Sequence, residues 1–270
     1  MTQTVLYESA RGVATITLNR PERMNSMGGD LMERALEAIE RAASDSTVHA
    51  VVLTGAGRAF CAGGDLKSMS GADAESGTAA PAPRSHAAEV ARLRYWMQSS
   101  RLLHEMDKVT IAAINGACGG AGLAWACACD LRFAAESANF NVAFRNAGVS
   151  GDFGGTWTLP RIVGPAKARE LYLLSPRFTA NEAQQMALVS KVLPDAELMD
   201  HVRSVAAGIV DAAPLALVNM KRNLNDALRL SFSELLDREA ARMVETLETD
   251  DHIEAAKAFL EKRKPTFHGK

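Results

Sequence analysis

The sequence predicts an α/β fold whose first half repeats a strand–strand–helix pattern. Residues 12–19 alternate in polarity, as expected of a strand with one buried face. Residues 50–54 and 111–114 are short apolar segments, typical of strands that are buried on both faces. Apolar residues at helical spacing over 31–43 lie between the first two strands. This alternation of strands with a helix predicts an α/β core.

The elements that follow continue this pattern and then become helical. Residues 123–129 are small and apolar, which indicates a buried helix, and residues 131–134 are predicted to form another strand. From about residue 166 helical spacing dominates, and Pro165, Pro176 and Pro214 fall at predicted boundaries. The predicted helices cover residues 166–174, 180–186, 196–212, 214–228, 232–248 and 251–262.

A low-complexity segment interrupts the first half of the chain. Residues 68–85 are rich in Gly, Ala, Ser and Pro and contain almost no large apolar side chains, which predicts a surface loop. Two interpretations are open. The loop covers a site formed by the glycine-rich turn that precedes it, or it is a plain linker insertion.

The composition gives no reason to expect two common kinds of partner. The chain has 270 residues, with 30 Lys and Arg against 32 Asp and Glu, so its net charge is -2. This balance does not favour nucleic acid or a membrane surface as a partner. No apolar segment is long enough to cross a bilayer, and the first residues show no signal-peptide pattern. We therefore expect a cytoplasmic protein.

The cysteines and histidines show no metal-binding pattern. The four cysteines lie in small, apolar surroundings without zinc-ligand spacing, and the six histidines are scattered. We expect reduced, buried thiols and no metal site. The cysteines are Cys61, Cys118, Cys127 and Cys129.

Three familiar catalytic or nucleotide-binding motifs are absent. Residue 125 is not glycine, so the dinucleotide-binding pattern fails, and the sequence contains no GxxxxGK[ST] motif. Residues 148–152 nearly form a nucleophile elbow, but Asp152 stands where the closing glycine belongs. A serine hydrolase is therefore disfavoured.

Two glycine-rich turns are the most informative feature of the chain. The first covers residues 60–65 and the second residues 115–122, each between an apolar segment and a helix-like segment. Small residues let backbone approach a ligand, and the start of a helix has unpaired N–H groups at the positive end of its dipole. If both turns face one point, they can bind the negative oxygen of an enolate or a tetrahedral oxyanion. The alternative is a pair of purely structural turns.

A longer pattern joins these turns to other parts of the chain. Its pieces are Ala-Phe-Cys-Ala-Gly-Gly-Asp-Leu (59–66), Ala-Ile-Asn-Gly (113–116), Gly-Gly-Ala-Gly (119–122), Cys-Asp (129–130) and Asp-Phe-Gly-Gly-Thr (152–156). In this order and spacing the chain closely resembles the crotonase family, the enoyl-CoA hydratases and isomerases. The resemblance covers nearly the whole chain. Each piece alone is a weak signal, whereas the set is specific.

The resemblance implies a crotonase-like spiral of repeated ββα units over residues 1–195, carrying an acyl-CoA site. Residues 196–270 are then a helical region that packs in the oligomer, expected to be a homotrimer or a dimer of trimers. The implied substrate is an acyl-CoA thioester. Coenzyme A enters as part of that substrate, and no separate cofactor is expected.

The resemblance also assigns roles to single residues. The backbone N–H groups of Gly64 and Ala121 are the implied oxyanion donors. The family usually has glycine at the second place, but Ala121 keeps the N–H, and its methyl group slightly narrows the pocket. Further substrate contacts are implied at Met24, Ala62, Asp65, Leu66, Gly120 and Phe144. Candidate cations for the coenzyme A phosphates are Arg23 and, from a neighbouring subunit, Lys257 or Lys262; solvated surface charges are the alternative.

The acid–base residues differ from those of the hydratases in this family. Counting from the motifs, the two hydratase glutamates fall at Ala124 and Phe144, and neither side chain can accept a proton. A carboxylate occurs instead at Asp152, where the chain resembles the aspartate-bearing isomerases of the family more than its true hydratases. The structural alternative for Asp152 is a helix N-cap.

The resulting hypothesis is an isomerase-type shift of a double bond through a thioester enolate, with Asp152 as acid and base. Aromatic residues that are candidates for an apolar acyl pocket are Phe140, Phe144, Phe153 and Trp157, with ordinary core packing as the alternative. Such a pocket would raise the pKa of a nearby carboxyl group. Rival hypotheses are an enoyl-CoA hydratase, a dehalogenase-like enzyme and a non-catalytic acyl-CoA-binding protein.

Overall fold

The computed structural model describes residues 3–65 and 85–270, and these residues form two sheets. The larger sheet contains, in order across it, β1 (Val5–Ala10), β2 (Val13–Leu18), β3 (Ala50–Gly55), β5 (Val109–Ile114), β7 (Leu131–Ala135) and β10 (Lys191–Leu193). The β1–β2 pair is antiparallel and the other neighbouring pairs are parallel. The α/β class and the strands predicted in the first half are therefore confirmed.

The smaller sheet is built from short strands that follow the ends of the larger sheet's strands. It contains, in order, β4 (Ala59–Cys61), β6 (Ala117–Gly119), β8 (Asn139–Asn141) and β9 (Arg177–Thr179). Because β3 and β5 are parallel neighbours, their carboxyl ends lie side by side. The chain passes from those ends into β4 and β6, which pair in parallel again. This topology brings the two glycine-rich turns to one edge of the molecule.

The helices of the described part occupy most of the predicted helical segments. They are α1 (Leu31–Ser44), α2 (His86–Trp96), α3 (Gln98–Glu105), α4 (Gly120–Ala128), α5 (Gly155–Val163), α6 (Pro165–Leu174), α7 (Ala180–Gln185), α8 (Leu198–Val210), α9 (Pro214–Asp226), α10 (Phe232–Leu247) and α11 (Asp250–Glu261). Short 3₁₀ turns occur at Pro21–Arg23 and Asp195–Glu197.

Each face of the larger sheet packs on different helices. On one face, Ile16, Leu53 and Ile114 pack in a cluster that includes Leu31 and Ile39 of α1 and the whole of the glycine-rich region. On the other face, a second cluster joins buried strand residues to α8; its members include Val52, Ile111, Phe133, Leu198 and Val202. Burial on both faces explains why β3 and β5 are almost entirely apolar, with Thr54 and Thr110 as the exceptions.

Residues 196–270 begin against the sheet and end on an exposed helical layer. Lys221 of α9 is buried and donates from Nζ to Asp130 Oδ2 (2.7 Å) and to the carbonyl oxygen of Lys108 (2.8 Å). Further along, α10 packs on α9, and α11 packs on α10. The predicted division at residues 195 and 196, and the trimer, stay predictions. Among the described residues no single helix is long and apolar enough to span a membrane. Two consecutive helical segments, residues 195–210 and 214–226, reach that length and apolar composition only when taken together, and the chain bends by 106° between them.

Several elements differ from the prediction. The second half is not purely helical, because β9 and β10 lie between its helices. The helices α2, α3 and α5 were not predicted. Of the low-complexity segment, Ser85 is the N-cap of α2 and its side chain accepts from the Ala88 N–H (3.2 Å); the rest lies outside the described residues. All four cysteines are free and buried, as expected.

Candidate active site

The two glycine-rich turns are in direct contact. A Cβ atom added to Gly63 would lie 2.8 Å from the carbonyl oxygen of Gly119 and 3.3 Å from Gly120 Cα. Gly63 and Gly120 have φ angles of +92° and +50°, which glycine adopts without steric cost. A side chain at residue 63 would push the turns apart, and one at residue 120 would be strained by its positive φ, so glycine at both positions allows the close approach.

Buried asparagine side chains hold the first turn in place. Asn25 donates from Nδ2 to the carbonyl oxygen of Ala59 (2.7 Å) and accepts from the Arg20 N–H (2.8 Å). Asn115 accepts from the Gly55 N–H (3.1 Å) and donates to the carbonyl oxygen of Gly57 (2.9 Å). These bonds tie the segment before the turn to the ends of β3 and β5, so the chain that leads to residue 64 is held in place.

Gly64 and Ala121, whose backbone N–H groups are the predicted oxyanion donors, line the same cavity. Ala121 is the second residue of α4, where a helix offers its N–H groups no internal acceptor. Beside Gly64, the Met27 N–H bonds to the Gly63 carbonyl oxygen (2.7 Å) and the Ala62 N–H bonds to the Met24 carbonyl oxygen (3.0 Å). Within residues 3–65 and 85–270, no backbone acceptor is recorded for the N–H of Gly64.

The cavity has a volume of about 580 Å³ and a mostly apolar wall. Its lining contains backbone and side chains of both glycine turns, of β8 and of the segment before α5. Those residues are Met24, Arg58, Ala62, Gly64, Ala117, Cys118, Gly119, Gly120, Ala121, Asn139, Asn141, Ala143, Phe144, Asn146, Ala147, Val149, Asp152 and Arg177. Among the described residues of this lining, Asp152 is the carboxylate.

Asp152 is not a helix cap. The N-cap of α5 is Gly154, and no side chain caps that helix. The Oδ1 atom of Asp152 is buried and has no hydrogen-bond partner among the described residues. Burial raises the pKa of this carboxyl group to about 6, because a charged carboxylate is disfavoured where water is scarce. Such a group exists both as acid and as base near neutral pH.

The position of Asp152 is fixed by its neighbour. Phe153 is buried, has a φ of +50°, and packs edge-to-face on Trp125 of α4, with ring centroids 5.6 Å apart. The Trp125 indole donates in turn to Ser99 Oγ of α3 (2.8 Å). A left-handed conformation at a bulky residue is costly and persists only where packing enforces it. The aromatic anchor therefore directs the preceding carboxylate toward the cavity.

The remaining predicted contacts fall into three groups. Met24, Ala62, Gly120 and Phe144 line the cavity together with the proposed donors. Asp65 is buried beside Arg20, with Oδ2 3.4 Å from the guanidinium, and is not among the lining residues. Leu66 lies outside the described residues.

Most of the aromatic residues proposed for an acyl pocket belong elsewhere. Phe140 and Phe153 are buried in the core, and Trp157 lines a separate cavity with His104. Phe144 is the one of the four that borders the cavity between the glycine-rich turns. Core packing is thus the correct interpretation for Phe140 and Phe153. The sequence could not distinguish a core residue from a pocket residue, because both roles require an apolar side chain.

Sequence reasoning missed three residues near the site. Arg58 and Arg177 bring two cations to the cavity, and Tyr172 stacks on Phe144. Arg58 adjoins the first glycine turn, so its position was available from the motif. Arg177 and Tyr172 lie far along the chain, on β9 and α6. The helix α6 was predicted, but no local pattern indicates that it and β9 pack against this site.

Two backbone N–H groups beside a mostly apolar cavity that also holds a partly buried carboxyl group are typical of enzymes that stabilise an oxyanion. Comparison with known proteins gives the family. Residues 8–270 match the family described as Enoyl-CoA hydratase/isomerase, and the chain belongs to this family.

Individual relatives differ in their activities. The chain is 34% identical over 270 residues to 1,2-epoxyphenylacetyl-CoA isomerase of Escherichia coli, covering all of both chains. It is 36% identical over 267 residues to a probable enoyl-CoA hydratase of Rhodobacter capsulatus, covering 99% of this chain and 98% of the relative. The fold also matches the crystal structure of an enoyl-CoA hydratase from Bacillus anthracis, with a TM-score of 0.90, 29% identity and coverage of 99% and 100%.

Proposed function

We propose that this protein moves a double bond in an unsaturated acyl-CoA thioester. The thioester oxygen binds between the N–H groups of Gly64 and Ala121. Asp152 removes a proton next to the conjugated system, and the resulting enolate is stabilised by the two amides. The same carboxyl group then returns the proton to a different carbon.

One observation carries this proposal: Asp152 lines the same cavity as Gly64 and Ala121, and its Oδ1 atom is buried without a hydrogen-bond partner among the described residues. A pKa of about 6 suits a group that must both accept and release a proton. The oxyanion contacts are expected to supply the larger effect, since loss of one donor typically lowers the rate by about 100- to 1,000-fold.

The two positions at which hydratases of the family carry glutamates support an isomerase rather than a hydratase. Ala124 is buried in α4, and Phe144 presents an aromatic ring to the cavity. Neither can activate a water molecule. A single carboxylate is sufficient for a proton transfer between two carbons, whereas hydration requires a positioned water as well.

The coenzyme A moiety of the substrate requires cations for its phosphates. Arg58 and Arg177, which border the cavity, join Arg23, Lys257 and Lys262 as candidates. No separate cofactor enters this chemistry.

The second candidate is an enoyl-CoA hydratase in which Asp152 alone activates water. It is favoured by the relatives named as hydratases, among them the short-chain-enoyl-CoA hydratase of Clostridium acetobutylicum at 33% identity over 264 residues. The two candidates differ in whether an oxygen atom from solvent enters the product.

The test is a panel of unsaturated acyl-CoA thioesters incubated in ¹⁸O-labelled water. Products are analysed by mass spectrometry for a gain of water and by ultraviolet absorbance and NMR for a moved double bond. The proposal expects isomers of unchanged mass. A product heavier by labelled water would instead support the hydratase, and absence of turnover with retained thioester binding would support a non-catalytic protein.

A further inference from the structure

Tyr172, on α6, reaches several segments that surround the catalytic carboxylate. Its ring stacks on Phe144, with centroids 6.1 Å apart and planes 13° apart. A Cβ atom on Gly151 would lie 3.4 Å from Tyr172 Cε1, and one on Gly155 would lie 2.5 Å from the Tyr172 hydroxyl oxygen. The Tyr172 side chain therefore packs between Gly151, which precedes Asp152, and Gly155, the first residue of α5.

The hydroxyl group also approaches α4 at residue 124. A Cβ atom built on Gly155 would lie between the two groups. It would be 2.5 Å from the Tyr172 hydroxyl oxygen and 3.2 Å from Ala124 Cβ. Burial, followed by the charges of Cys127 and Asp152, raises the pKa of Tyr172, so that the phenol stays neutral. Tyr172 thus contacts Phe144 and adjoins Ala124, the two positions where a hydratase of this family would place its carboxylates.

We propose that Tyr172 is a specificity-determining residue whose side chain closes the space between residues 124 and 144 to water. A proton taken up by Asp152 then returns to the substrate instead of exchanging with solvent. This consequence rests on the proposed isomerase function, whereas the exclusion of water from Asp152 is measurable without any substrate.

The Tyr172 ring acts by filling space and by keeping the dielectric around Asp152 low. Small residues at 124, 151 and 155 leave room that the aromatic ring fills. If the ring were removed, water would enter beside Asp152 and the carboxylate would be solvated. The neighbouring titratable groups do not change their charge in the pH range where Asp152 titrates. Burial raises the pKa of Cys127 to about 11 and keeps the Tyr172 phenol neutral, so neither group gains charge near pH 6. The cations that line the cavity are Arg58 and Arg177.

The substrate-free test compares Tyr172→Ala with the matched control Tyr172→Phe. The pKa of Asp152 is measured by NMR titration of ¹³C-labelled aspartate, with Asp152→Asn assigning the resonance. We expect Tyr172→Ala to lower this pKa by about one unit or more, and Tyr172→Phe to change it by no more than about 0.3 unit. An unchanged pKa in Tyr172→Ala overturns the proposal. Tyr172→Leu, which also opens the space, replaces the alanine variant if that variant does not fold.

The second test follows the proton during turnover in deuterium oxide. We expect the deuterated fraction of the isomerised product to rise several-fold in Tyr172→Ala and to stay at the wild-type level in Tyr172→Phe. Equal fractions in all three proteins contradict water exclusion. If the wild-type protein moves no double bond, the proposed function fails, and the pKa measurement still decides the role of Tyr172.

Discussion

At the scale of single residues, the site depends on a carboxylate kept in an unfavourable environment. The Oδ1 atom of Asp152 is buried without a partner among the described residues, so ionisation of this group destabilises the folded protein. That cost is the physical basis of its reactivity, because a poorly solvated carboxylate is a stronger base than one in water. Activity and stability should therefore respond in opposite directions when the charge is removed.

Asp152→Asn tests this opposition. We expect turnover to fall by about 100- to 10,000-fold, since the acid–base group is lost, while thioester binding changes little. At pH 8 the variant should be more stable than the wild type by about 1–2 kcal/mol, a figure reduced from the full pKa shift because part of the carboxyl group reaches cavity water. Kinetics and urea unfolding measure the two effects. Unchanged turnover would show that the carboxyl group is a bystander.

The pH dependence of these effects follows from the sign of the shift. The folded-state pKa of about 6 lies above the ordinary value of 3.8, so the neutral form favours folding. This stability is fully present below the unfolded-state pKa and is lost as pH rises through about 6. The stability gain of Asp152→Asn should thus vanish near pH 3.5. Wild-type kcat/KM should fall as pH drops below about 6, because the protonated group is no base.

The second oxyanion donor can be tested through Ala121. Ala121→Gly keeps the N–H and restores the residue usual in the family, so we expect turnover within about threefold of the wild type. Ala121→Pro removes the N–H at a position in the first helical turn, where proline is tolerated. Its turnover should be about 100- to 1,000-fold lower, with circular dichroism as the check of folding. Comparable rates for the two variants would exclude Ala121 as a donor.

At the scale of elements, helices and strands were predicted best where apolar residues recur with a regular period. The helix α1 and the strands β2, β3 and β5 match their predicted segments to within two residues. By contrast, α5 begins at Gly155, directly after Gly154, and contains Pro160. The buried residue of α2 is Trp96 alone. A helix whose stability comes from tertiary contacts in this way has no periodic signal to detect.

The attachment of α9 to the sheet is predicted to stabilise the fold around the site. Lys221 pairs with Asp130, which also accepts from the Thr110 N–H (2.8 Å) on β5. Lys221→Met should reduce the free energy of unfolding by about 3 kcal/mol, because a largely buried carboxylate loses its partner. Lys167→Met, which breaks an exposed pair with Glu170, is the control and should cost less than about 0.5 kcal/mol. Similar urea midpoints for both variants would contradict this account.

At the scale of the whole molecule, the C-terminal helices expose more apolar surface than an isolated chain would retain. Leu224, Phe232, Phe259 and Leu260 are exposed by 71, 78, 83 and 81%. Surface of this kind marks an interaction site, and the trimer expected from the sequence stays a prediction that this surface makes testable. The exposed residues lie on α9, on α10 and at the end of α11.

Sedimentation equilibrium tests this assembly. We expect the wild-type protein to behave as a trimer or a hexamer, and the double variant Phe259→Asp, Leu260→Asp to dissociate, since burying each side chain is worth about 1.5–3 kcal/mol. Val90→Asp, on α2, is the control because its residue is also exposed but lies outside these helices. A monomeric wild-type protein would show that the helical region does not mediate assembly.

The site itself was predictable in part. The turns at Gly64 and Ala121 and the carboxylate at Asp152 were identifiable because each belongs to a contiguous motif. Tyr172 and Arg177 were not, because their approach depends on how α6 and β9 return to the first half of the chain. Long-range packing of this kind leaves no mark on local sequence.

The most direct test of the central claim is a crystal structure of the protein with a non-reactive acyl-CoA thioester. The account predicts that the thioester oxygen lies about 2.7–3.1 Å from the backbone nitrogens of both Gly64 and Ala121, with an Asp152 carboxylate oxygen about 3–3.5 Å from the carbon that loses its proton. A thioester oxygen bound away from these amides, or an Asp152 side chain turned from the acyl group, would contradict it.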